Sequence, residues 1–368
     1  MRFFVPTDIY VENNCVNNHA HHLLAVGKRA LIMTGHKSAA ANGSLKDVTD
    51  VLNAGQVPFK VFNEVEENPS TDTVRKATQT ARDFKADYVI GIGGGSAIDA
   101  AKAVALLLEN PEVDADELHK APSHPLDHAP VVAVPTTCGT GSEATPVSII
   151  TNHKINLKKS IPHVIFPVLA LVDGKYLASA KKQLIVNTAV DALAHMVESI
   201  LNVKSNLLNR MCPEYGLSLW GQCKNALLAN ENIDANLYEK LMLTSTIAGM
   251  SIAQTSTAVP HGMSYDLTLH AGVPHGPAVG YFLAAYVEVC AKFVPQDVEK
   301  VLSLLGLQNV EAFTEMLRKL IGTCTVSREM RDKFAAAMKV NRSKLDLVPG
   351  NITAEDIDYI YEKSLIVG

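Results

Sequence analysis

Tyr88-Val-Ile-Gly-Ile-Gly-Gly-Gly-Ser96 runs straight into AIDAAKAVALLL, which ends at Leu108. It reads as a buried strand, a glycine cluster and a helix, which is one βα unit. Glycines let phosphate oxygens reach bare backbone N–H groups, and a helix N-terminus adds partial positive charge. As a dinucleotide fingerprint it is imperfect, since Gly91-x-Gly93-x-x-Ser96 ends in serine. Read blandly, the same cluster is an ordinary glycine turn. Similar units lie on both sides. Before it come a strand at Arg29–Thr34, a loop at His36–Ser44, the helical pattern LKDVTDVLNAG, a strand at Phe59–Phe62 and a helix over Asp72–Phe84. The central strand is expected at Tyr88–Ile92 and its helix at Ala97–Leu108. After a polar stretch come strands at Val131–Thr137, Val147–Thr151 and Leu169–Val172. Repeated βα units imply a parallel sheet covered on both faces.

A second polar loop, Pro135-Thr-Thr-Cys-Gly-Thr-Gly-Ser-Glu143, follows the strand VVAV. The hydroxyls of Thr136, Thr137 and Thr140 suit phosphate, ribose or carboxamide groups. The same loop also reads as a capped turn, with Thr140 or Ser142 as N-cap.

From about Tyr176 the texture changes to long, apolar segments of helical period: Lys181–Val203, Cys212–Leu228, Tyr238–Ile252, Gly280–Ala291, Asp297–Leu305, Glu311–Ile321 and Ala354–Leu365. The first contains NTAVDALAHMVESIL, which is apolar nearly all round and therefore reads as a buried helix. Within it Asp191 and His195 are four apart, hence on one face. A buried carboxylate needs a cation or strong hydrogen bonds. Two more histidines sit in twin tripeptides, Pro260-His261-Gly262 and Pro274-His275-Gly276. Three imidazoles and one carboxylate suit Fe(II) or Zn(II) and suit Mg or Ca poorly. The bland alternative is a helix-face hydrogen bond and two unrelated histidines.

The 368 residues are too many for one small core. Two domains are expected: an α/β nucleotide-binding domain with a parallel sheet over 1–177, and an all-α metal-binding domain over 178–368. A formal charge of −5 disfavours nucleic acid or an anionic membrane as partner. No run approaches the length of a membrane span, and Asp8 and Glu12 come too early for a secretory signal. The six cysteines are scattered without a C-x-x-C pair, which favours a reducing cytoplasm.

The stretches GGGSAIDAAKAVA at 93–105, PTTCGTGSEATPVSI at 135–149, DALAHMVES at 191–199 and HGMSYDLTLHAGVPHG at 261–276 occur in one order across the chain. Together they resemble the iron-containing, group III alcohol dehydrogenases. The resemblance implies a nucleotide-binding α/β domain followed by a helical metal domain, the architecture shared with dehydroquinate synthase. It implies Asp191, His195, His261 and His275 as ligands of Fe(II), with Zn(II) as the alternative. Gly94, Gly95, Ser96 and Asp99 are implied at the pyrophosphate, Thr136, Thr137, Thr140 and Thr145 at nicotinamide and ribose, and Lys158 on the ribose side. Asn68, Gly35 and Ser38 join the cofactor-binding set. The implied activity is interconversion of a primary alcohol and its aldehyde by hydride transfer with NAD(P)(H), in a homo-oligomer of two or more copies.

Two positions depart from the family pattern. Many members carry a second histidine four residues after the third ligand, where this chain has Tyr265; His270 is then the spare candidate for the proton relay. After the first strand, where an acid often meets the ribose 2′-OH, this chain has Thr34-Gly35-His36-Lys37-Ser38. Gly35 without the acid, and Lys37 with Ser38 beside it, favour NADP(H) over NAD(H). Two other classes stay open on these residues. One is a lyase related to dehydroquinate synthase, although Gln183–Asn202 carries no basic residue except histidine. The other is a silent metal- or nucleotide-binding protein.

Overall fold

The computed structural model describes residues 1–229 and 233–368. The chain forms two compact units, Val5–Ala180 on one hand and Met1–Phe4 with Lys181–Gly368 on the other. The division thus falls at 180/181 rather than 177/178. Met1–Phe4 belongs with the helical unit because the Phe4 N–H donates to Gln254 Oε1 (3.0 Å) and Gln254 Nε2 donates to the Phe4 carbonyl (3.1 Å).

The first unit has eight strands: β1 (Asp8–Val11), β2 (Ala30–Gly35), β3 (Phe59–Val65), β4 (Tyr88–Gly93), β5 (Val131–Pro135), β6 (Ile149–Asn152), β7 (Leu157–Ser160) and β8 (Leu169–Val172). Six make one sheet in the order β1-β8-β5-β4-β2-β3, with every pairing parallel. From β2 the chain steps one way to β3 and then the other way to β4, β5 and β8. The switch between β2 and β4 is where open α/β sheets leave a crevice at the carboxyl ends of their strands.

Both faces of the sheet are covered. One carries the core of helices Thr71–Phe84 and Gly95–Glu109, and the other that of Cys15–Asn18 and Ser44–Ala54. The central strands are apolar on both sides for this reason.

β1 was not expected. It is a four-residue edge strand, paired only with β8 and partly exposed, so its composition carries little apolar signal. β6 begins at Ile149 instead of Val147, because the Val147 carbonyl accepts from Lys102 and the Ser148 hydroxyl donates to the Asp99 carbonyl. β6 and β7 form a separate antiparallel ribbon.

The helical unit is built round helix Lys182–Ile200, with 14 of its 19 residues buried. Trp220 Nε1 donates to the Ala189 carbonyl (2.8 Å), and Tyr286 Oη donates to the Leu201 carbonyl (2.9 Å), tying two neighbouring helices to it. Three helices were not expected from the sequence, Val259–Ala271, Arg328–Lys339 and the short Arg342–Leu345. The first hides behind Pro260 and Gly262. Proline is compatible with a first helical turn, and Gly272, at φ 66°, ends it. The unit is also not purely α. β9 (Cys324–Val326) and β10 (Leu365–Val367) pair in parallel, because the chain ends in an apolar Leu-Ile-Val segment that suits strand pairing.

Helix Gly95–Glu109 lies close on β4. A Cβ at Gly91 would stand 3.0 Å from both the Ala101 Cβ and the Ile98 Cα. Gly91→Val is therefore expected to overpack this contact and lower stability by about 1–3 kcal/mol. Urea denaturation followed by circular dichroism reads the shift in midpoint.

Candidate metal centre and nucleotide loops

Asp191 and His195 lie one turn apart on helix Lys182–Ile200, as the spacing required. His261 sits in the first turn of helix Val259–Ala271, and His275 opens helix His275–Cys290. Three helices thus deliver four side chains to one point. Asp191 Oδ1 lies 3.4 Å from His261 Nε2, 3.6 Å from His275 Nε2 and 3.8 Å from His195 Nε2. Ligand atoms about 2.1 Å from a shared ion stand roughly 3.0–3.4 Å apart, so the cluster has nearly the right span. Asp191, His261 and His275 offer atoms all within 4.8 Å of one another. His195 joins them through Asp191 and stacks on the His261 ring, with centroids 4.5 Å apart.

Asp191 is 3% exposed and His261 2%, whereas the His275 side chain is 30% exposed and forms the open side of the cluster. Asp191 Oδ1 and His261 Nε2 are both sealed from solvent without a hydrogen-bond partner. Two orphaned polar atoms of this kind, facing each other in a dry site, fit a cation between them. Burial alone would raise the Asp191 pKa, but the three imidazoles outweigh it and hold the carboxyl well below its usual range. Burial pulls His261 down, yet Glu198 and Asp191 prevail and push it up to about 9.

Glu198 was missed by the sequence reading. It is fully buried, accepts from the Ala258 and His261 N–H groups (3.0 and 3.3 Å), and takes the His261 Nδ1–H. That bond leaves Nε2 facing Asp191 and orients the ring as a ligand would be oriented. The signal was present: Glu198 falls seven residues after Asp191 and three after His195, on the same helical face. Glycine beside His275 has a specific reason. A Cβ at Gly276 would collide with the Asn187 carbonyl, so only glycine lets this helix end lie against the metal helix. Ser256, at φ 65°, bends the chain just before the Glu198-bound segment.

His270 is not brought to the cluster. Nine residues beyond His261 is about 13 Å along a helix, and its ring stacks on Phe334 and faces Asp266 at 4.0 Å. Tyr265, one turn after His261, does reach the site, since its ring stacks on His275 with centroids 6.3 Å apart.

Several of the residues expected at a nucleotide lie against one another at the turns after β4 and β5. Thr136 N–H donates to the Gly93 carbonyl (2.9 Å), and the Asn68 N–H donates to Ser96 Oγ (3.2 Å). A Cβ at Gly94 would come 3.0 Å from Thr137, and one at Gly95 would come 2.7 Å from Thr140. Gly35 ends β2, with exposed Lys37 and Ser38 just beyond. Lys158 lies on the β6–β7 ribbon opposite Thr151.

Two residues differ from expectation. Asp99 is not presented to a phosphate: Oδ1 accepts from Ser142 Oγ (2.6 Å) and Oδ2 from the Ile149 N–H (2.9 Å). Thr145 is buried, and its carbonyl accepts from Lys102 (2.9 Å).

A family model described as iron-containing alcohol dehydrogenase matches residues 6–174, and one for the C-terminal part of the same family matches 185–364. An iron-containing alcohol dehydrogenase from Thermotoga maritima is 34% identical and superposes with a TM-score of 0.90, each chain being covered over 99%. The NADPH-dependent butanol dehydrogenase of Clostridium saccharobutylicum is 27% identical over 357 residues, 95% of this chain and 90% of the relative. The bifunctional aldehyde-alcohol dehydrogenase of Escherichia coli K12 is 31% identical over 74% of this chain, which spans 32% of that larger protein. The chain belongs to the iron-containing alcohol dehydrogenases. It is an oxidoreductase of alcohols and aldehydes that uses a metal and a nicotinamide nucleotide.

His261→Ala is expected to release the metal and lower activity at least about a hundredfold, beyond the 10–100-fold typical of outer-shell losses. Glu198→Gln, which keeps the shape but weakens the grip on Nδ1–H, falls within that 10–100-fold range in metal affinity. Chelator competition with metal analysis distinguishes the two variants.

Proposed function

We propose that Asp191, His195, His261 and His275 hold Fe(II), with Zn(II) as the alternative, and that the enzyme interconverts a primary alcohol and its aldehyde with NADP(H). The observation that carries the metal assignment is the pair of buried, unpartnered atoms, Asp191 Oδ1 and His261 Nε2. When bound, the metal supplies Lewis acidity that lowers the alcohol pKa, and the nicotinamide takes or returns the hydride. The Asp191 carboxylate balances part of the ion's charge, and Glu198 keeps His261 in the ligating tautomer. The exposed edge of His275 is where a substrate oxygen has room to approach.

We assign the proton relay to Tyr265 rather than His270, on its place beside His275. Tyr265→Phe is expected to cost about a hundredfold in turnover, at the low end for a proton-transfer group, with metal content unchanged. Unchanged turnover removes the assignment. The scattered cysteines favour the cytoplasm, and family membership favours a homo-oligomer.

NADP(H) preference rests on the carboxyl end of β2. Gly35 leaves no acid to repel a 2′-phosphate, and Lys37 and Ser38 offer a cation and a hydroxyl at the exposed end of the strand. The NADPH dependence named for the butanol dehydrogenase relative supports the same choice. A charge-assisted hydrogen bond of roughly 1.5–3 kcal/mol corresponds to a tenfold to hundredfold preference. There is room to reverse it: a Cβ at Gly35 meets only the Val65 carbonyl at 3.5 Å and Ser38 Oγ at 3.9 Å. Gly35→Asp should shift kcat/KM toward NADH. A panel of aldehydes run with both cofactors tests substrate and preference together, and equal efficiencies in the wild type would sink the NADP(H) assignment.

A further inference from the structure

Lys102 is fully buried, in the middle of helix Gly95–Glu109, and nothing in the reaction uses it. Its ammonium donates to the carbonyls of Ser142 (2.8 Å), Thr145 (2.9 Å) and Val147 (2.7 Å), and to Ser142 Oγ (2.9 Å). One turn earlier Asp99 takes the Ser142 hydroxyl and the Ile149 N–H through its carboxylate, while its carbonyl takes the Ser148 hydroxyl. The two side chains therefore hold residues 142–149 from within.

The hold passes on to the nucleotide turn. The Ser142 N–H donates to Thr140 Oγ1 (3.3 Å), and Thr140 packs where a side chain on Gly95 would otherwise be. A buried ammonium is costly unless its hydrogen bonds are met. Burial pulls Lys102 down to about 8, even with Asp99 and Glu143 opposing it. A buried leucine or methionine could fill such a volume at far lower cost, but it could not gather three carbonyls.

We propose that Lys102, with Asp99, is the positioning pair of the nucleotide site, winding the 142–147 segment round a fixed cation so that Thr140 is set over the Gly94–Ser96 turn before cofactor arrives. The proposal rests on reading that turn as the pyrophosphate site.

Lys102→Met tests it in the full chain reconstituted with Fe(II) or Zn(II). The NADPH dissociation constant and KM should rise about tenfold to a hundredfold, the scale of a lost charged hydrogen bond. In the same variant kcat at saturating NADPH should fall less than about threefold, and metal content should hold; a merely structural role would not split KM from kcat in this way. Normal NADPH affinity in folded Lys102→Met overturns the proposal, as does a fall in kcat with KM unchanged. If Lys102→Met does not fold, Ser142→Ala decides the matter. It removes the hydroxyl through which both Asp99 and Lys102 hold the residue that carries the Thr140 bond, and unchanged NADPH affinity there overturns the proposal too. Gly95→Val separates the two levels. If it leaves NADPH affinity intact, the nucleotide reading itself fails. If it weakens binding while Lys102→Met and Ser142→Ala bind normally, only the positioning role fails.

Discussion

The ionised carboxylate of Asp191, sealed inside an apolar helix, is the constraint round which the helical unit is arranged. Such a group is very costly to bury without compensation. Here three imidazoles from three helices converge on one of its oxygens. A second buried carboxylate, Glu198, sits two turns along the same helix and grips the far side of His261. Two carboxylates buried beside three imidazoles form a donor set that suits a divalent cation. The ring of His261 is held through Nδ1 by Glu198, so its orientation depends on Glu198 as much as on its own helix.

The α/β unit solves the opposite problem. There a cation, Lys102, is buried beside Asp99 and satisfied by carbonyls drawn inward, while the glycine turn lies at the carboxyl end of β4. A buried cation and a glycine turn suit a ligand that carries phosphates. Each unit thus buries charged side chains within its candidate site. In each, glycine is placed where backbone must approach closely: Gly276 against Asn187 in the metal unit, and Gly91, Gly94 and Gly95 in the nucleotide unit.

Much of this was readable along the chain because it is local. The alternation of strands and helices from Arg29 to Val172, the glycine cluster, and the i,i+4 pair Asp191/His195 all follow from periodicity and residue type over a dozen residues or fewer. The elements that were missed carry weak local signals. β1 is a half-exposed edge, helix Val259–Ala271 begins with proline and glycine, and the β9–β10 pair joins residues some forty positions apart.

What the sequence by itself determined is the set of chemical parts: one buried carboxylate, three histidines able to ligate, a glycine turn and a threonine loop. Tertiary structure alone decided their use. It turned Asp99 inward to Ser142 and Ile149, carried His270 to Phe334 and away from the Asp191 cluster, and brought Glu198 onto His261 across sixty-three residues. The physical reason is that periodicity reports which face of an element is buried. What that face meets is set by packing between helices and strands far apart in the chain, and a buried polar atom takes its role from the partner that packing delivers.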